Sequence, residues 1–375
     1  MLRHQHTIKY LFNRELSEMY ISIALRNLAL SMAGIFVPIY LFIDLKYPLT
    51  KVILFFIIYT ITLILSNLLA AKFTSKYGIK HGILASMFGF ILYTILLATL
   101  PYHHLFFLPP ILWGMSNAFY WVNFHTDFTR FSDKKNRGQE VSIWFITAFL
   151  GILIGPILGS IIITYLGFTT LFVVVSLIFL LSAVPLFLTS EVYEPVNFSI
   201  KELFDRSHLK ETYFYLVYGF KTMVAQFALP IFIFLLLGQY ISLGIIASFS
   251  AMGSITIGYM VGKLSKNEIR ENKMIKYGSL FHSLGWFLLL FVKTFIQITV
   301  VNIYLAMSFI LIEIPHHTLM YTKAKKRKRP MEYIVYREMA MGFGRLLSLV
   351  VILLTGKLII GFILSGLGIF SWFFL

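Results

Sequence analysis

The sequence predicts an all-α membrane protein whose twelve transmembrane helices form two pseudo-symmetric six-helix bundles. Three observations predict it. Of the 375 residues, 58% are hydrophobic and only 13% are charged, against about 25% charged in an ordinary soluble domain. Twelve apolar stretches follow one another, each close to the roughly 20 residues that a helix needs to cross a bilayer. The second half also repeats marks of the first at a constant offset, so short loops and no large catalytic domain are expected.

The opening stretch, Met1 to Leu16, is polar and basic (Arg3, Lys9, Arg14) and lacks a short apolar core followed by small residues. The first span is therefore expected to act as an uncleaved insertion signal. Spans are expected near 17–42, 52–71, 82–100, 105–128, 141–164 and 168–189. A second group is expected near 212–237, 241–262, 275–292, 297–321, 333–354 and 358–374. Between the groups, Ser190 to Glu211 carries Lys201, Glu202, Asp205, Arg206, Lys210 and Glu211. Residues 1–190 thus read as one six-helix bundle, 191–211 as a cytoplasmic linker and 212–375 as the second bundle.

An even number of spans puts both ends of the chain on one side. With the N-terminus inside, 24 of the 32 Lys and Arg fall on the inner side and only Lys46, Lys51, Lys293 and Lys357 outside. Cytoplasmic loops accumulate Lys and Arg, so both termini are expected in the cytoplasm of a multi-pass protein of the cell (inner or plasma) membrane. The same asymmetry accounts for the net charge of +16 without nucleic acid, and for the basic run Lys323 to Arg329 between spans ten and eleven. The sequence has no cysteine, which excludes disulfides, thiolate metal sites and thiol redox chemistry together. No Walker loop precedes a helix, which disfavours ATP-driven transport, and His103-His104 has no acidic neighbour close in sequence. Neither a metal nor a cofactor is expected.

A shift of 192 residues lays Pro38 on Pro230 (VPIYLF on LPIFIF), His125-Thr126 on His317-Thr318, and Arg137 on Arg329. Duplicated six-span halves with a substrate site between them near the midplane are a recurring construction of secondary transporters. Between spans two and three the chain runs Ala71-Lys-Phe-Thr-Ser75-Lys76-Tyr-Gly78-Ile-Lys80-His81. This resembles the loop motif G-x-x-x-D-[RK]-x-G-x-[RK]-[RK] of the major facilitator superfamily. Lys76, Gly78 and Lys80 match; Ala71 replaces the first Gly and Ser75 the acid. Gly78 permits a tight turn, and the lysines anchor the inner face.

In span five, Gly151-Ile-Leu-Ile-Gly155-Pro156-Ile-Leu-Gly159-Ser160 is similar to the G-x-x-x-G-P-x-x-G-G signature of proton-coupled exporters of that superfamily, with Ser160 replacing the last Gly. Glycines four apart form a smooth stripe for close helix approach, and Pro156 bends the helix. Arg137-Gly138 resembles the family's entry into span five. The resemblance covers essentially the whole chain. It implies two halves that rock against each other, with spans one, four, seven and ten lining a central cavity.

Ionisable groups within spans cost at least about 2.5–3.5 kcal/mol each on insertion scales, which makes them functional suspects. Arg26 in span one and Lys221 in span seven lie at nearly equivalent depth. Two such cations can clamp an anion, a geometry similar to that of the superfamily's organophosphate/phosphate exchangers; alternatively, each pairs with an internal acid. Trp121 and His125, on one face of span four, and Tyr218, beside Lys221, are the other candidate substrate contacts. Glu313 and His317 share a face of span ten, with Pro315 between them, and form a candidate proton carrier. Asp127 in span four and Glu338 in span eleven are further proton-coupling candidates. Glu338 and Arg345 lie two turns apart on one face, so Arg337 and Arg345 join Lys76, Gly78, Lys80, Gly151, Gly155, Pro156 and Gly159 as structural or gating residues.

The leading expectation is a monomeric secondary transporter, not an enzyme, that expels a small organic solute by alternating access coupled to protons. Exchange or uptake of an organic anion or organophosphate is the alternative. A non-transporting membrane protein, such as a lipid scramblase or a sensor, is a second. The expected partners are the lipid bilayer, a small-molecule substrate and protons, with no nucleic acid.

Overall fold

The computed structural model describes residues 14–132, 136–187, 209–265, 267–327 and 330–374. Residues 1–13, and the expected linker as far as residue 208, lie outside them. Helix α1 (Arg14–Gly34) resumes over Val37–Ile39 and ends in a π-helical turn, Tyr40–Asp44. Helices α2 (Leu49–Tyr77), α3 (Ile79–Thr99) and α4 (Leu108–Phe131) follow. Arg137–Ala183 holds α5 and α6, which divide at Gly167. Helix α7 (Leu209–Met223) continues through a π-helical turn, Val224–Ala228, into Leu229–Leu237. The series closes with α8 (Tyr240–Leu264), α9 (Glu268–Leu288), α10 (Phe295–Lys326), α11 (Pro330–Thr355) and α12 (Leu358–Ser371).

Nine helices among the described residues are long and apolar enough to cross a membrane, the one over Arg137–Ala183 being long enough for two spans. Helix α4 has the length but carries Asn117, Asn123, His125, Asp127 and Arg130. Several helices outrun their expected spans, because backbone bonding continues past the hydrocarbon. In α9 the Asn267 side chain accepts the Arg270 N–H (3.0 Å) and starts the helix before its apolar part.

Gly167, at φ +82° and ψ 173°, reverses the chain in a conformation open to glycine alone. Contacts with α1 fix the directions on either side. Gly151 lies beside Ala24 and Leu28 and Gly159 beside Met32, so α5 runs parallel to α1. The Tyr40 ring meets Phe168 and Phe172, whereas the Ser22 hydroxyl donates to the Ser182 carbonyl (2.7 Å), so α6 runs back.

The proline repeat has a structural counterpart. Pro38 and Pro230 offer no N–H to the carbonyl four residues earlier. The α1 helix breaks at residues 35–36, and α7 widens into its π turn over Val224–Ala228, each just before its proline. The two proline segments pack against each other. The halves meet along two further seams, α2 with α11 and α5 with α8. On the outer faces Leu65, Leu69, Ile154, Leu181 and Leu284 are exposed, while Arg26, Asn67, His125, Glu313, Arg337 and Glu338 are buried. Apolar outside and charged inside suits a lipid solvent.

Candidate functional site

One end of the bundle carries Lys72, Lys76, Lys80, Arg130, Lys263 and Lys323 to Arg327 and is termed the basic end. Helices α4, α7, α10 and α11 join there through a buried polar network. Arg337, 2% exposed, donates from one terminal nitrogen towards His125 Nε2 (3.3 Å) and from the other to His317 Nε2 (3.1 Å). It also forms a very short ion pair with the adjacent Glu338. The Tyr321 hydroxyl lies 2.6 Å from His125 Nδ1, and the Glu313 carbonyl 3.0 Å from His317 Nδ1. Tyr218 donates to the Glu313 carboxylate, its oxygen 2.6 Å from both Oε1 and Oε2. Below the network, Arg137 reaches Thr322 Oγ1 (2.7 Å) and Lys325 the Ser132 carbonyl (2.6 Å), which ties the α4–α5 connection to the end of α10.

Away from the basic end the polar groups thin out. Arg26 is fully buried, and none of its three guanidinium nitrogens has a hydrogen-bond acceptor among the described residues. It lies over the Tyr120 ring, 3.3 Å from the centroid, with Phe90 and Trp121 further off. A desolvated cation–π contact contributes about 2 kcal/mol. Each unmet donor costs roughly 1–3 kcal/mol, so stacking alone does not satisfy this group. Lys221 lies over the Phe309 ring at 3.0 Å. Arg345 is buried, with Nε and one terminal nitrogen unmet.

A cavity of about 220 Å³ opens between α1, α5, α7, α8 and α10, away from the basic end. Ile35, Phe149, Ile152, Leu229 and Ile233 make much of its wall; Ser250, Ser254 and Asn302 add polar groups. Ala225 and Ala306 also line it. Lys221 is one turn from Ala225, and Phe309 one turn from Ala306. A line of side chains thus descends from the cavity through Lys221 and Phe309, Tyr218 and Glu313, and His317 and Arg337 to the basic end.

The structure brings together His125, Tyr218, Glu313, His317, Arg337 and Glu338. Lys221 lies along the same line, and Trp121 stacks on His125 at 5.1 Å. Arg26 sits in the first half against α4, and Asp127 is half-buried further along that helix. Neither Arg26 nor Lys221 is among the residues lining the cavity. Gly151, Gly155 and Gly159 face α1, where a Cβ at any of them would overlap α1 atoms; the Pro156 carbonyl and Ser160 face Gly244 of α8. Gly78 holds φ +95° between α2 and α3, beside an exposed Lys76 and a half-buried Lys80. Sequence reasoning missed Tyr321, Phe309, Thr322 and Lys325. The basic run was the only signal for Lys325, and it points to topology rather than to a contact.

Helices α1 to α12, joined at one end by a buried polar network and hollow towards the other, are the build of a multi-pass membrane transporter. The sequence profile of the Major Facilitator Superfamily matches residues 19–349, and the chain belongs to that superfamily. An uncharacterised protein of Bacillus subtilis (strain 168), YqgE, is 25% identical over 356 residues, spanning 88% of this chain and 80% of its own. The crystal structure of the human organic anion transporter MFSD10 (TETRAN) superposes with a TM-score of 0.72, covering 96% of this chain and 98% of that one. At 14% identity this is a likeness of fold alone.

Proposed function

We propose that this membrane transporter exports a small organic anion by alternating access coupled to protons. The observation that carries the reading is Arg26: a fully buried guanidinium with no acceptor among the described residues. A substrate carboxylate or phosphate supplies what it lacks. Lys221, beneath the cavity floor, provides a second cation along the same path. The mostly apolar wall suits the body of an organic molecule, since a cavity of about 150 Å³ already holds benzene. MFSD10, which shares this fold, is an organic anion transporter, and an anionic substrate here agrees with that chemistry. Glu313, held by Tyr218, is the proton carrier, with Asp127 and Glu338 behind it. The glycine–proline pattern of α5 favours export, and the positive-inside rule places the basic end in the cytoplasm.

Counterflow in proteoliposomes tests the reading. A panel of organic anions is offered to the wild type and to the double variant R26M/K221M. Loss of exchange in a variant that still folds and reconstitutes is expected; wild-type exchange would remove the anion clamp. Glu313→Gln is expected to abolish flux driven by a pH gradient while leaving counterflow intact. Undiminished gradient-driven flux would take Glu313 out of the mechanism.

A further inference from the structure

His125 and His317 are the residues that the 192-residue repeat lays on each other, one on α4 and one on α10. Both turn Nε2 to the same guanidinium, that of Arg337 on α11. A guanidinium has donors and no acceptor. Each imidazole therefore meets it with the Nε2 lone pair and carries its single proton on Nδ1. The partners on the far side fit this tautomer: the Tyr321 hydroxyl at 2.6 Å for His125 and the Glu313 carbonyl at 3.0 Å for His317. Arg337 is thus tied to the other half of the molecule by a bond that exists only while an imidazole nitrogen is unprotonated.

We propose that the His125–Arg337–His317 cluster is a proton-binding site that unlocks the basic end. A proton arriving at Nε2 turns the acceptor into a donor and sets one cation against another, so Arg337 must leave. Carboxylates stand ready for the new charge. Glu338 Oε1 is 3.8 Å from His125 Nε2, and Glu313 Oε1 is 3.8 Å from His317 Nδ1. The other titratable groups around the cluster are phenols and one more imidazole: Tyr215 and Tyr218 on α7, and Tyr321 and His316 on α10. Trp144 of α5 packs on both histidines without titrating. Loss of the Arg337–His125 bond removes one polar tie between the halves; Arg137–Thr322, Lys325–Ser132 and the packing of Ala70, Ala71 and Val122 against Met331 and Val335 remain at that end.

The inference rests on alternating access and on nothing about the substrate. The absence of cysteine allows a clean reporter. Thr129 lies buried on α4, one turn beyond His125 towards the basic end. Maleimide labelling of Thr129→Cys in nanodiscs, normalised to an exposed Asn272→Cys control, measures opening of that end. The normalised rate is expected to rise about tenfold as the pH is stepped down from about 8 through the acid range. In H125Q/H317Q, whose amide oxygens still accept from Arg337 but do not titrate, it is expected to stay low throughout. The single glutamine variants are expected to retain part of the response, which covers failure of the double variant to fold. A pH response that survives in H125Q/H317Q, or a wild-type rate that ignores pH, overturns the proposal. Labelling that ignores pH yet changes with added benzoate would do so while leaving the transporter reading in place.

Discussion

Arg337 and Arg26 are both buried arginines inside a membrane-spanning bundle, yet their surroundings are opposites. Arg337 has a carboxylate and two imidazoles drawn from both halves. Arg26 has the faces of aromatic rings and no acceptor among the described residues. Charge burial is costly in both places. At Arg337 both terminal nitrogens are met within the protein and only Nε is not, which suits the proposed lock. At Arg26 no nitrogen is met, which suits the proposed anion site. On the proposed reading, the difference separates the part of the molecule that closes from the part that binds.

The largest expected effect falls on the lock. Arg337→Met strands Glu338, which is 1% exposed, without its cation. Breaking a buried pair from one side costs about 3–5 kcal/mol, so a large drop in thermal unfolding temperature in detergent is expected. Adding Glu338→Gln should restore much of it. An unfolding temperature that Arg337→Met leaves untouched would erase the distinction between the two arginines. The next effect concerns the seam that lets α1, and with it Arg26, sit so deep. A Cβ at Gly155 would overlap Ser31 Oγ and come within 3.0 Å of the Leu28 carbonyl. Gly155→Ala is expected to cost about 1–3 kcal/mol by overpacking. Ser31→Gly in the same chain should relieve part of that, and simple additivity of the two changes would show that α1 and α5 are not in contact there.

Most of the fold was legible because lipid leaves the backbone so few choices. Every N–H and C=O in the hydrocarbon must bond internally, so apolar runs of span length become helices. The reversal between α5 and α6 falls between the expected spans 141–164 and 168–189, where one residue, Gly167, turns the chain. At the site the charged residues stood out by their cost: Arg26, Lys221, Glu313, Arg337 and Glu338 all lie inside spans. Of their partners, His125, His317 and Tyr218 stood out with them and the rest did not. Tyr120, Phe309 and Tyr321 are three among 38 Phe and 21 Tyr that look alike in sequence. Helix geometry also misdirects at one point. Side chains at i and i+1 do not ordinarily face each other, so the spacing sets Glu338 on a face with Arg345. In the fold it meets its neighbour Arg337, whose terminal nitrogens also reach the two histidines.

The smallest expected change in stability is also the most informative. Arg26→Met keeps a long, flexible side chain over Tyr120 and removes a charge whose donors are unmet. Replacing buried ionic groups by apolar ones of similar volume is often neutral or stabilising, so the unfolding temperature in detergent is expected to hold or rise. Function should move the other way. If Arg26 meets a substrate anion, the variant forfeits a charge-assisted hydrogen bond of about 1.5–3 kcal/mol, and half-saturation for the anion in counterflow should climb roughly tenfold or more. A fall in stability comparable to that of Arg337→Met would mean that Arg26 is a structural cation whose partner the Tyr120 face provides in full. Unchanged stability with unchanged counterflow would move the anion site to Lys221 and Arg345. Only a sound fold with weakened exchange fits an arginine that is incomplete until its ligand comes.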